Sequence, residues 1–190
     1  MKIRFFIALG FSMLVQLNVF AQTNTAGDKV TEKDGYQIFA SAGFKVKCGC
    51  KLYVDKVFID MATKQGVDNI LAAYLCAENE DNPDICAIVN ILIYDMQKIY
   101  KNIPEKDYQD FETQHTKEYA EYLKSSGISS YNFITYQGVS AIEYTYKQID
   151  LPTKAIYFLK RKKAYLLQIG TRKNLTTKYN SLKNSFEILK

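Results

Sequence analysis

The sequence predicts an α+β fold: a single, mainly antiparallel sheet with helices packed against it, an αβα sandwich. Three patterns predict it. Residues 130–170 contain four short strand-like runs separated by turn signals, 131–137 rich in aromatic and branched residues and 139–147 in period-two alternation. Residues 104–124 and 175–189 repeat apolar residues at steps of three and four, the spacing of one helix face. The later strands are joined by links too short for the crossovers that parallel pairing requires.

In chain order, Lys2 and Arg4 precede an apolar stretch over residues 5–20 that ends at Ala21. This is the pattern of a signal peptide, residues 1–21, with cleavage after Ala21. It implies an exported protein, periplasmic or extracellular, with no stable membrane span once the signal is removed. Residues 22–35 are polar and aperiodic and read as a flexible lead-in. Residues 36–190 are then one domain, long enough to bury a sizeable core. Residues 44–54 read as one strand, with Phe44, Val46, Cys48, Cys50, Leu52 and Val54 on one face and Lys45, Lys47 and Lys51 on the other. Residues 60–68 read as a connection turned at Gly66. Residues 70–77 and 85–94 are nearly continuous apolar runs, which suits strands covered on both faces. The loop between them, residues 78–84, is acidic.

Pro104 and the acidic residues Glu105 and Asp107 suit the start of a helix. Its stripe is Tyr108, Phe111, His115, Tyr119 and Tyr122, and Gly127 stops it. Strands follow over residues 131–137, 139–147, 153–160 and 163–170. The last two meet across Arg161 and Lys162, a tight hairpin without the usual glycine. The basic run 160–163 reads as a solvated turn. The closing helix carries Leu175, Tyr179, Leu182, Phe186 and Leu189 on one face, with Asn174 or Thr171 to cap its first amides.

Several stretches resemble the PsbP-like superfamily. They are Gly43-Phe44-Lys45-Val46, the long helix after Tyr94, Gly138-Val139-Ser140-Ala141, residues 165–170, and the closing Leu182-Lys183-Asn184-Ser185-Phe186. The resemblance spans residues 36–190. It implies an αβα sandwich and a binding or assembly role without a shared catalytic set, so it assigns no site residue here. Cys48-Gly49-Cys50 stands where many members have a proline-containing segment.

The net charge is only +5, falls by two when Lys2 and Arg4 are removed, and forms no basic stripe of the kind nucleic acid requires. No glycine-rich phosphate loop and no nucleophile elbow occurs. The one histidine, His115, lies on an apolar stripe and reads as a packing residue. No cofactor is implied. The cysteines are the sharpest chemical feature. Cys48, Cys50, Cys76 and Cys86 are an even set in an exported chain, which favours disulfides. Either Cys76 faces Cys86 across a hairpin and Cys48 pairs with Cys50, or the first-strand thiols bridge to the hairpin. Spacings of one and nine residues do not match the paired motif of closed zinc sites. Fifteen tyrosines are present, and Tyr131, Tyr136, Tyr144, Tyr146, Tyr157 and Tyr165 on the later strands form the candidate partner surface. The function read from the sequence is a non-catalytic exported module binding a protein or small ligand. The alternative is a thiol-disulfide redox protein using Cys48-Gly49-Cys50.

Overall fold

The computed structural model describes residues 30–189 apart from Glu80, Pro83 and Ile149. The predicted signal peptide and most of the lead-in lie outside the described residues.

The strands form two antiparallel sheets. The larger holds seven, in the order β4 (Tyr53–Val54), β5 (Ile70–Glu78), β6 (Ala87–Asp95), β10 (Lys163–Thr171), β9 (Leu151–Lys160), β8 (Val139–Gln148) and β7 (Tyr131–Tyr136). The smaller holds β1 (Val30–Lys33), β2 (Tyr36–Phe39), β3 (Phe44–Val46) and β11 (Glu187–Ile188), in that order. The prediction of a single sheet between helices is therefore corrected. The strand expected over residues 44–54 ends at Val46, and residues 47–52 carry the chain from the small sheet to the large one before β4 begins. Period-two spacing persists through the crossover, so the sequence hides the break.

The large sheet is buried on both faces. Val89, Ile91 and Ile93 of β6 face a core shared with Phe39, Phe44, Val46, Tyr179, Leu182 and Phe186. The small sheet and α4 (Leu175–Ser185) cover that side. Leu92 and Tyr94 face the opposite core, with Tyr119, Ala120 and Leu123 of α3 (Tyr108–Ser125), Ala62 of α1 (Lys56–Lys64) and Tyr100 of α2 (Gln97–Tyr100). Burying both faces explains the near-continuous apolar runs of β5 and β6.

Helix α1 occupies part of the stretch read as a connection; Asp55 caps it, accepting from Phe58 N at 2.9 Å. At the other end of the chain, α4 stops at Ser185 because Phe186 turns extended (φ −72°, ψ 123°), and residues 187–188 pair with β3. Leu189 is thus beyond the helix. Asn174 sits at the N-cap but its side chain makes no capping bond there.

Arg161 and Lys162 form the two-residue turn of the β9–β10 hairpin, both left-handed at φ 53° and 60°. That backbone costs about 1–2 kcal/mol for each residue with a Cβ. Its tip is not merely solvated. Arg161 Nη1 donates to Leu189 O at 2.7 Å, and Lys162 O accepts from Met96 N at 3.0 Å. Lys160 and Lys163 reach the carbonyls of Gln137 and Ala42. The basic run therefore ties four separate segments, at Ala42, Met96, Gln137 and Leu189, to the sheet.

Candidate functional site

The crossover between the sheets carries Cys48-Gly49-Cys50. Two side chains hold it. Gln37 of β2 is buried; its Nε2 donates to Cys50 O and its Oε1 accepts from Leu52 N, both at 2.8 Å. Ser185 Oγ accepts from Lys47 N at 3.1 Å and lies 3.1 Å from Lys47 O. The segment has no sheet partner of its own, so these contacts satisfy backbone groups that would otherwise be lost to burial.

Leaving the crossover, Tyr53 pairs with Leu75 and Val54 with Tyr74. This register brings the crossover alongside Cys76. Cys50 and Cys76 form a disulfide with Cα atoms 5.8 Å apart. Cys48 remains a thiol, with its Sγ 3.3 Å from Cys76 Sγ and 3.7 Å from Cys50 Sγ. The three sulfurs thus make a triangle. Cys48 sits beside the S–S bond rather than on its axis, since an axial approach would make its two distances differ by a full bond length. Of the two pairings left open by the sequence, the structure has half of the second: Cys50 bridges to the hairpin at Cys76, while Cys48 and Cys86 lie outside any disulfide. Cys76 pairs in register with Val89, and the ladder stops at Glu78–Ala87, so Cys86 is not opposite Cys76.

Charge lies next to the sulfurs. Glu78, the last residue of β5, forms an ion pair with Lys178 of α4. An ideal Cβ on Gly49 would stand 1.8 Å from Glu78 Oε1, so glycine leaves the room the carboxylate occupies. Burial pushes the Cys48 thiol up from its ordinary value; Glu78 adds to this and Lys178 opposes it. Cys48 is therefore protonated at neutral pH and a weak nucleophile at rest. Gln37 and Lys178 had no signal in the sequence, and Glu78 and Ser185 showed only as part of the acidic stretch and the closing motif, because contact with the crossover is made across the fold.

The tyrosines fall in two groups. Tyr144, Tyr157 and Tyr165 are at most 1 % exposed and belong to the cores. Tyr131, Tyr136 and Tyr146 are half-buried. Tyr136 donates to Lys183 O at 2.6 Å and Tyr146 to Gln168 Oε1 at 2.8 Å, so both hydroxyls are engaged within the fold. His115 is buried against the sheet, with Nε2 2.8 Å from Tyr157 OH, and burial lowers it to about 4. Among the described residues no helix is long and apolar enough to cross a membrane.

No family model matches the chain, and no curated protein sequence does. Among solved structures, the solution structure of cyanobacterial PsbP (CyanoP) from Synechocystis sp. PCC 6803 aligns with 90% of this chain and 98% of that one, at 9% identity and a TM-score of 0.46. The likeness to the PsbP-like fold is distant, and no residue of this chain takes a role from it.

Proposed function

We propose that this chain is an exported thiol-disulfide exchange protein whose reacting set is Cys48, Cys50 and Cys76. The observation that supports this best is the Cys48 thiol lying 3.3 Å from Cys76 Sγ of the Cys50–Cys76 disulfide. A structural staple needs two cysteines; the third sulfur is surplus to it. The sequence favoured a binding module, but its tyrosine surface is half withdrawn into the cores, whereas the sulfurs converge.

The chemistry balances within the set. Cys48 loses its proton to solvent, and its thiolate attacks Cys76 Sγ. A Cys48–Cys76 bond forms, the Cys50–Cys76 bond breaks, and Cys50 leaves as a thiolate. No electrons enter or leave. The half-buried Cys50 thiolate is then placed to attack a disulfide of a partner protein, forming a mixed disulfide and releasing a partner thiolate. Attack by a different thiol of the partner, as its thiolate, on the partner sulfur bonded to Cys50 forms the new partner disulfide and regenerates Cys50. The net reaction moves a disulfide in the partner, which makes the class isomerase-like exchange. Displacement at sulfur runs along the S–S axis, so Cys48 must swing before it attacks. Export motivates the reading as well, since disulfides persist in oxidising compartments.

Refolding of a scrambled-disulfide protein tests it, with insulin reduction in parallel. Cysteine-dependent turnover is expected, lost in Cys50→Ser and reduced at least about tenfold in Cys48→Ser. Turnover absent from the parent chain, or unchanged in Cys48→Ser, would sink the reading.

A further inference from the structure

We infer that reduction of the Cys50–Cys76 disulfide converts the same three sulfurs into a site for a thiophilic divalent cation of the zinc class. The metal site and the disulfide exclude each other. The proposal does not need a protein partner, and so stands apart from the exchange chemistry.

The geometry carries it. Zinc–thiolate bonds of about 2.3 Å place neighbouring sulfurs of a tetrahedral site about 3.8 Å apart. Cys48 Sγ is already 3.7 Å from Cys50 Sγ and 3.3 Å from Cys76 Sγ. All three sulfurs lie within 4.8 Å of one another. The Cys50–Cys76 separation must widen most, and breaking that bond widens it; the Cys48–Cys76 separation opens slightly with it. Gln37 and Ser185 hold the crossover independently of the disulfide, so Cys48 and Cys50 stay close to Cys76 when it is reduced. Soft thiolates select zinc and similar d¹⁰ ions over hard cations.

Charge favours a divalent ion over a monovalent one. Three thiolates with one divalent ion leave a single negative charge; with copper(I) they leave two. The nearby Glu78–Lys178 pair is neutral as a unit and can compensate little more. The steps balance. A phosphine or dithiol reductant supplies two electrons, and two protons come from solvent, to convert the disulfide to two thiols. Binding of the cation then displaces three protons to solvent. Three protein sulfurs leave one coordination position open, the arrangement of zinc sites that keep an exchangeable ligand.

The test uses the purified full chain under oxygen-free conditions, titrated with cobalt(II) and then zinc(II). Reduced chain should bind one equivalent of cobalt with a thiolate-to-metal charge-transfer band and net release of protons, and zinc should then displace the cobalt and abolish the band. Outer-shell partners change metal affinity by about 10–100-fold, so losing a ligand should cost at least about a hundredfold. Oxidised chain and reduced Cys48→Ala should both show that loss, while reduced Cys86→Ser should keep the parent affinity. Equal binding by oxidised and reduced chain, or parent affinity in Cys48→Ala, would overturn the proposal. If Cys48→Ala does not fold, alkylation of the reduced parent decides: zinc should protect Cys48, Cys50 and Cys76 together, and undiminished labelling of Cys48 refutes the site. The exchange assay is run on oxidised chain without metal, so either reading can fail alone.

Discussion

The two faces of the seven-stranded sheet solve the burial of reactive groups differently. Under α3, polar groups close on one another. His115 meets Tyr157 at 2.8 Å, Tyr119 meets Tyr144 at 3.1 Å, and Tyr100 donates to the buried Glu112 at 2.7 Å. Tyr119 stacks on Tyr157 with ring centroids 3.8 Å apart. These pairs are packing solutions in which each group named meets another polar group within the core. Under the small sheet, the sulfur set is not closed: a disulfide satisfies two members and the third is left in contact with it. A buried polar cluster whose members pair off reads as core, and one with a reactive group left over reads as a site.

The largest expected effect tests the first half of that comparison. Tyr119→Ala removes a buried ring and its stack on Tyr157. Large-to-small changes at such sites cost about 3–5 kcal/mol. Urea unfolding should show a loss of this size, while exchange turnover per folded molecule stays at the parent level. Loss of turnover in the folded variant would mean that the α3 face takes part in the chemistry.

Acid should separate the faces next. His115 is lowered to about 4 in the folded state, against 6.5 for an ordinary histidine. Between those values the unfolded chain binds more protons, so stability falls as pH drops from 6.5 towards 4. The shift corresponds to a loss on the order of 3 kcal/mol. Glu112, raised chiefly by burial, acts in the opposite sense above its ordinary value and offsets part of it. Glu143 and Glu187 are both lowered, and add their losses only below about 4.5. Thermal melts from pH 7 to 5 should flatten in His115→Phe. An unchanged slope would show that His115 is not the group that titrates.

How much of this was legible in the sequence follows from how local each feature is. Strands β7 to β10 are written in short apolar runs, alternating in β8, and in tight turns, because each pairs with its neighbour in the chain. The division into two sheets depends on where residues 47–52 leave one sheet for the other, and alternation runs straight through them. Helix α1 was missed because it is short and runs into the stretch read as a connection, although Phe58, Ile59 and Ala62 recur at helical spacing and Asp55 caps it. The sulfur cluster was half legible. Cys48 and Cys50 stood out, but connectivity is not readable from spacing, and the choice of Cys76 is set by the Tyr53–Leu75 register. The tyrosines misled because strand propensity and surface exposure leave the same trace in composition.

Gln37 sharpens the second half of the comparison. Gln37→Ala leaves Leu52 N and Cys50 O without the side chain that now meets both. Leaving buried backbone groups unpaired costs about 1–3 kcal/mol. More tellingly, a looser crossover should let Cys48 swing onto the S–S axis more often, so the Cys50–Cys76 bond should exchange faster even as stability falls. Proteolytic mapping of disulfides trapped by acid quench would show a larger Cys48–Cys76 fraction than in the parent. An identical fraction would mean that the crossover does not restrain the thiol.

The smallest expected effect is electrostatic, and it has a sign that packing cannot imitate. Glu78 raises the Cys48 thiol and Lys178 lowers it, both secondary to burial. The two form one half-buried ion pair, so removing either leaves the other acting alone on the sulfur. Glu78→Gln removes an anion that disfavours the thiolate and leaves the Lys178 ammonium unopposed. The thiolate fraction at neutral pH should rise, and site-resolved alkylation of Cys48 should quicken by about two- to fivefold. Lys178→Gln should slow it by a similar factor, because the carboxylate is left to repel the thiolate. Gly49→Ala should resemble neither, since its methyl group would push the Glu78 carboxylate aside and disturb both charges. The effect should shrink in about 1 M salt, where screening reaches only about 3 Å. If Glu78→Gln and Lys178→Gln change the rate in the same direction, the pair acts by holding the β5 end against α4, and the field at the sulfur set is not what controls Cys48.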